Sequence, residues 1–132
     1  MVKNDRWIKK MAAEYKMIEP FEPNQVKKGI SFGTSSYGYD MRLSEDFMIM
    51  KQGKILDPKN SQDIFESIKV KDFIEIAPNS TVLGKTVEYF RIPRDIVTIG
   101  FGKSTYARCG VFVNITPFEP EWEGFATLSI AN

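Results

Sequence analysis

The sequence contains no histidine and a single cysteine, Cys109. Without an imidazole, Ser-His-Asp and Cys-His mechanisms, histidine-ligated zinc sites and the commonest general base near neutral pH are all excluded. One cysteine cannot form an intrachain disulfide or a cysteine-based metal cage. With no imidazole to activate it, Cys109 is expected to be a small buried apolar residue rather than a nucleophile. Neither sign of charge is in excess. Eighteen Lys+Arg stand against seventeen Asp+Glu, for a net charge of +1, which argues against a counterion-releasing nucleic-acid binder. No apolar run approaches the ~18 residues of a membrane-spanning helix. Residues 1–10 lack the apolar stretch of a signal peptide, so the expected location is the cytoplasm. There is no internal repeat, low-complexity segment or Gly/Ser-rich linker. Any catalysis must use carboxylates, hydroxyls, Lys, Arg, backbone groups or bound water.

The chain has 132 residues, 42% hydrophobic and 13% aromatic, enough for one globular domain over residues 1–132. It opens with a helix. Asn4 or Asp5 can cap it, and Trp7, Ile8, Met11, Ala12 and Tyr15 recur at helical spacing. Pro20 and Pro23 then make 18–29 an extended connection. The remainder reads as short strands. Tyr37, Tyr39, Met41 and Leu43 alternate with small or polar residues. Apolar runs follow at 47–50, 55–56, 73–76, 81–90, 96–101, 111–115 and 125–130. About eight short strands separated by Gly, Pro, Asn and Asp indicate a mainly β sandwich or barrel. One short helix is expected at about 104–109, started by Ser104 or Thr105 and stopped by Gly110. The alternation over 127–132 runs to the last residue, which leads to the expectation that a C-terminal part of the natural domain is missing.

Three strings could carry chemistry. In Gly102-Lys103-Ser104-Thr105, a glycine before a helix start allows close backbone approach. Free N–H groups there favour an anion, with Lys103 and Arg108 adding charge. The string is not a Walker A loop, because position 97 is valine. An ordinary capped helix with two solvated cations fits it equally well. Phe118-Glu119-Pro120-Glu121-Trp122-Glu123-Gly124 could hold a sugar hydroxyl through a carboxylate. A solvated acidic loop with a half-buried tryptophan is the simpler reading. Ser35-Ser36-Tyr37-Gly38-Tyr39-Asp40 reads first as a strand with core aromatics.

Taken in order, several strings resemble one family. They are Trp7-Ile8-Lys9-Lys10-Met11, Met17-Ile18-Glu19-Pro20-Phe21, Ser35 to Asp40, Asp57-Pro58-Lys59-Asn60, Thr86-Val87-Glu88-Tyr89-Phe90, Gly102 to Gly110 and Thr116 to Gly124. Together they resemble dCTP deaminase, of the dUTPase-like superfamily, from about residue 4 to residue 132. Gly102 to Gly110 is the most specific of them. The resemblance implies a distorted β-barrel or sandwich, assembled as a homotrimer with active sites between subunits. It implies hydrolysis of dCTP to dUTP and ammonia for thymidylate synthesis, with dTTP as a further ligand. The chemistry would need no cofactor and no protein-bound metal, and Mg2+ would accompany the triphosphate. The absence of a His/Cys cage agrees with a zinc-free deaminase.

The resemblance also implies roles residue by residue. Lys103, Ser104, Thr105, Tyr106, Ala107 and Arg108 match the nucleotide-binding segment. Ser104 matches the hydroxyl that positions the attacking water, and Arg108 an arginine reaching into the site. Glu119 matches an acid near the sugar, and Thr127 and Leu128 a strand lining the base pocket. After Thr-Leu the family carries a glutamate as general base. Here that position is Ser129, a poor base near neutral pH, so the expectation is dCTP binding with slow or absent deamination. A bifunctional deaminase that also releases pyrophosphate, a dUTPase and a non-catalytic nucleotide-binding trimer are the alternative readings.

Overall fold

The computed structural model describes residues 1–61 and 63–132. Helix α1 spans Asp5–Tyr15. Its first orphan donors are met by Asn4, whose side chain accepts from the Trp7 N–H at 3.1 Å. It ends where Lys16 turns left-handed (φ 51°) and the Met17 N–H returns to the Met11 carbonyl at 3.3 Å. Ile8 and Ala12 are buried, but Tyr15, expected on the same stripe, is exposed. Among the described residues eight strands follow: β1 Ile18–Glu19, β2 Gly33–Ser35, β3 Gly38–Asp40, β4 Leu43–Met50, β5 Phe65–Lys69, β6 Thr81–Arg91, β7 Phe112–Asn114 and β8 Glu123–Ala131. A second helix, α2, is Ser104–Arg108. The larger sheet has the order β5-β4-β6-β8-β7 with β1 added to β6, and β2 and β3 form a separate hairpin. The expected mainly β class, the N-terminal helix and the short helix before β7 are all present.

The chain forms two compact units, and β6 and β8 contribute residues to both. The first unit holds Met1–Arg42, Thr86–Gly100 and Thr116–Ala126. β1 pairs with β6 through Ile18 opposite Phe90. Around that pair Ile8, Met17, Ile92, Phe118 and Ala126 are buried, with the Phe90 and Phe118 rings 5.2 Å apart. Strand alternation carries Thr86, Glu88 and Phe90 inward together, and Glu88 is 0% exposed. A buried carboxylate is tolerable only when its lone pairs are filled. The Arg42 Nε donates to Oε1 at 2.8 Å, the Arg42 backbone N–H donates to Oε2 at 2.9 Å, and the Tyr39 hydroxyl donates a longer bond at 3.4 Å. The Tyr39 oxygen in turn accepts from the Glu22 N–H at 3.2 Å. Beside it the Thr86 hydroxyl donates to the Glu88 carbonyl at 2.8 Å and accepts from the Ala126 N–H at 2.9 Å. Gly33, at φ 94°, packs so tightly that a Cβ would run into the Asn24 carbonyl and the Glu22 side chain.

The second unit holds Leu43–Lys85, Phe101–Ile115 and Thr127–Asn132. β4 and β5 pair antiparallel from Asp46 opposite Lys69 to Met50 opposite Phe65. Gly84 lets β6 approach this pair: a Cβ there would lie 2.7 Å from Leu43 Cδ2. β7 and β8 pair through Phe112 opposite Ala131 and Asn114 opposite Ser129. Asn132 is held on both sides, donating its N–H to the Ser80 carbonyl at 3.1 Å and accepting from the Asn79 N–H at 3.0 Å.

Several expected strands are absent. Segment 73–76 has the right alternation but forms no ladder, and Phe73 is 76% exposed. Segment 96–101 makes only an isolated bridge, Thr98 with Phe118, and Ile55 and Leu56 lie in an exposed loop. Alternation marks extended backbone, but a strand also needs a partner edge. The strand expected through 37–43 is broken after Asp40, because the Arg42 N–H is spent on the Glu88 carboxylate rather than on a ladder. β2 and β5 were not anticipated, since Gly33–Ser35 and Phe65–Lys69 carry little apolar periodicity.

Two expectations follow from the Glu88 cluster. Arg42→Met leaves the carboxylate without its counter-charge. It should cost about 3 kcal/mol, the lower end for a broken buried pair, because the Arg42 side chain is 33% exposed. Urea unfolding measures this, and Arg42→Met combined with Glu88→Leu should recover much of the loss. The second concerns Tyr39, whose phenol is pushed above 10.0, first by burial and then by the charge of Glu88, against the opposing Glu22 N–H. A raised folded-state pKa stabilises the fold fully below the unfolded value. That contribution is lost as pH rises from about 10 through the folded value. Tyr39→Phe should flatten this alkaline fall in a pH series of thermal melts.

Candidate active site

The Gly102–Gly110 string lies in the second unit. Gly102 runs against β7, where a Cβ would stand 3.0 Å from Val113 Cβ. The helix starts at Ser104 as expected, with Lys103 as its N-cap and no side chain capping it. The first internal bonds are from the Tyr106 and Ala107 N–H groups to the Lys103 carbonyl, at 3.0 and 3.1 Å. The amides of Ser104 and Thr105 precede them and are left open. Gly110, at φ 77°, ends the turn as expected, and the Val111 N–H returns to the Tyr106 carbonyl at 3.1 Å.

No residue of α2 is buried, so Ser104, Thr105, Tyr106, Ala107 and Arg108 all present themselves to solvent. Arg108 makes no ion pair among the described residues. Cys109 is exposed, against the expectation of a buried role. A helix this short with no buried face offers it no apolar interior.

β8 carries the second group. Ala126, Leu128 and Ile130 are buried, while Thr127 is exposed and Ser129 half-buried on the alternate face. Leu128 therefore packs inward, and its side chain serves the fold. Ser129 lies directly opposite Asn114, and opposed residues of an antiparallel pair share a face. Val113 projects to the other side of β7, and that is the side on which Gly102 lies. Within this unit the entry to α2 and Ser129 are thus on different faces of the β7–β8 pair.

Glu119 belongs to the first unit, in the loop before β8. It is exposed and makes no ion pair among the described residues. Its neighbour Glu121 is engaged by Arg94 at 3.1 Å, and Trp122 is half-buried, stacked on Phe118 at 4.8 Å. Asp40, in the earlier hairpin, accepts from Gln25 Nε2 at 3.1 Å. Among the described residues no three His, Cys, Asp or Glu side chains gather as a metal site. No helix among them is long and apolar enough to cross a membrane.

Sequence reasoning missed two features. Asn114 was signalled only as a polar residue one step from a valine in a strand. The Glu88–Arg42–Tyr39 cluster was visible in principle, since Glu88 has the parity of Val82, Thr86 and Phe90 in β6.

A family model for dCTP deaminase-like proteins matches residues 2–132. Among curated proteins, the dCTP deaminase of Methylococcus capsulatus is 58% identical over 139 residues, covering 99% of this chain and 73% of its own length. Those of Nitrosospira multiformis and Nitrosomonas europaea are 56% and 55% identical, again covering 99% of this chain and 74% and 73% of their own lengths. With a family model spanning nearly every residue and relatives sharing more than half of them, the chain belongs to the dCTP deaminase-like family.

Proposed function

We propose that this chain catalyses the hydrolytic deamination of dCTP to dUTP and ammonia. The observation that carries the reading is the identity of 55–58% to proteins named for that reaction, with the uninterrupted Gly102–Gly110 string inside it. The triphosphate, arriving with Mg2+, lies against Lys103, Ser104, Thr105, Tyr106, Ala107 and Arg108. The open amides at the start of α2 and the unpaired Arg108 support this. Glu119 stands near the sugar, and the backbone of Thr127 and Leu128 lines the base. dUTP and dTTP, which share the triphosphate and deoxyribose, enter the same pocket.

In the reaction a water adds to C4 of the cytosine ring. One of its protons goes to N3 and stays there, and the other, from the hydroxyl left on C4, goes to the amino group, which departs as ammonia while the C4 carbonyl forms. The Ser104 hydroxyl orients that water, and Arg108 reaches into the site. Ser129 stands where a proton acceptor is needed and cannot act as one at neutral pH, so binding is intact while turnover is slow.

The working form is a homotrimer in the cytoplasm. Two observations support an assembly. Ser129 and the entry to α2 lie on different faces within one copy, so a composite site draws them from two. Phe101 and Phe112, 81% and 75% exposed, also leave apolar surface for a partner to cover.

Arg108→Ala should weaken dCTP binding about 10- to 100-fold, as expected for loss of a charged hydrogen bond. The melting temperature should stay unchanged because the side chain is exposed. Unchanged affinity would remove Arg108 from the site. The direct assay is ammonia release from dCTP, with binding followed in parallel. Ser129→Glu should raise the rate by roughly 10²–10⁴, the usual worth of a positioned general base. Rapid turnover by the unaltered protein would place the proton acceptor elsewhere. Absence of ammonia from both forms would sink the deaminase reading.

A further inference from the structure

The face of the β7–β8 pair that bears Ser129 carries Phe112 and Asn114 from β7, and Thr127 and Ala131 from β8. No carboxylate lies among these residues. The next acid of the same parity on β8 is Glu123, six residues from Ser129, which is on the order of 20 Å along a strand. The polar groups at the centre of the face are the Asn114 amide, exposed, and the Ser129 hydroxyl, half-buried, in directly opposed positions. Neither side chain makes a hydrogen bond to another described residue, so both are available to a ligand.

The hydrogen-bonding character of the two groups decides what they can distinguish. A hydroxyl donates one bond and accepts two, and a primary amide has both a carbonyl acceptor and an N–H donor. A carboxylate only accepts. Cytosine presents an amino donor at position 4 and an acceptor at N3. Uracil presents the inverse, a carbonyl acceptor at position 4 and a donor at N3. At the 4-position an accept-only group matches the amino donor of cytosine and repels the carbonyl oxygen of uracil. An ambivalent pair rotates to match either, with no buried polar group left unpaired.

Resting on the reading above that this face receives the pyrimidine, we infer that Asn114 and Ser129 together make the pocket indifferent to the 4-substituent. The chain then binds dCTP and dUTP with closely similar affinity. Asn114 enters as a second specificity-determining residue beside Ser129, through its register opposite that position.

The experiment is calorimetric titration of the protein with dCTP and with dUTP, both as magnesium complexes. The expected ratio of dissociation constants lies within about threefold of one. Asn114→Asp, isosteric and at an exposed position, and separately Ser129→Glu, should each shift preference toward dCTP by about tenfold, a modest share of what such polar mismatches command. Circular dichroism checks that each variant folds, and either variant alone suffices if the other does not. A wild-type preference above tenfold for one nucleotide overturns the inference. So does a ratio that stays at one in a folded variant, because the 4-position then lies elsewhere. If neither nucleotide binds the wild-type protein, the nucleotide-site reading itself fails, an outcome distinct from unequal binding.

Discussion

A carboxylate with no access to water sets the terms for the first unit. Alternation in β6 sends Glu88 inward with Val82, Thr86 and Phe90, and burial of an unpaired charge would be prohibitive. The chain answers between β3 and β4, where Arg42 offers both its backbone N–H and its guanidinium to one carboxylate. It also brings Tyr39 into range, and Tyr39 accepts from Glu22 and stacks on Phe21 at 5.7 Å. The far side of the Arg42 guanidinium lies over the Phe32 ring at 4.8 Å. Each of these contacts joins sequence-distant residues, and each exists because one acid has a core parity. Such a pair contributes little net stability against an apolar substitute. Its effect is to specify one arrangement of the hairpin among several that would bury similar area.

The apolar residues that the fold does not bury impose a second constraint. Val97, Ile99 and Phe101 alternate along an extended segment and all three side chains are exposed. Phe112, on edge strand β7, is exposed too. Single exposed apolar side chains need no explanation, but a regular row of them is unusual on a monomer surface. The proposed assembly resolves this without altering the fold. It also lets the α2 string and Ser129, on different faces, serve the one reaction proposed for them.

Much of this was legible in the sequence, and the residues explain which parts were not. α1 was legible because its cap and apolar stripe are local signals, and β6 and β8 because long alternation with β-branched residues is nearly unambiguous. The short helix was legible from Gly110, which takes the left-handed turn that ends it. The strand expected at 96–101 failed because alternation says that backbone is extended and says nothing about whether a neighbour is there to pair with it. β5 was invisible for the converse reason. Its partner β4 supplies the ladder, while its own residues, Phe65-Glu66-Ser67-Ile68-Lys69, have too little pattern to announce it. Of the proposed site, the α2 string was readable because it is contiguous. Asn114 was not, because the role proposed for it arises from register with a residue fifteen positions later.

That register bears on how fold and chemistry divide along β8. Ala126, Leu128 and Ile130 pack inward, and exchanging any of them would disturb the core. Thr127 and Ser129 point the other way and carry none of that burden. A residue at position 129 is therefore free to change character without the strand noticing, since a half-buried outward position accepts either a serine or a carboxylate at small cost to the fold. Chemistry has no such latitude. In the proposed reaction a proton taken from water has no imidazole to go to, and this face offers it only hydroxyl and amide groups around Ser129. The alternation that makes β8 a good strand thus separates the two demands residue by residue. The inward set holds the architecture, and on the proposed reading the outward Ser129 sets the rate at which that architecture acts on a cytosine ring.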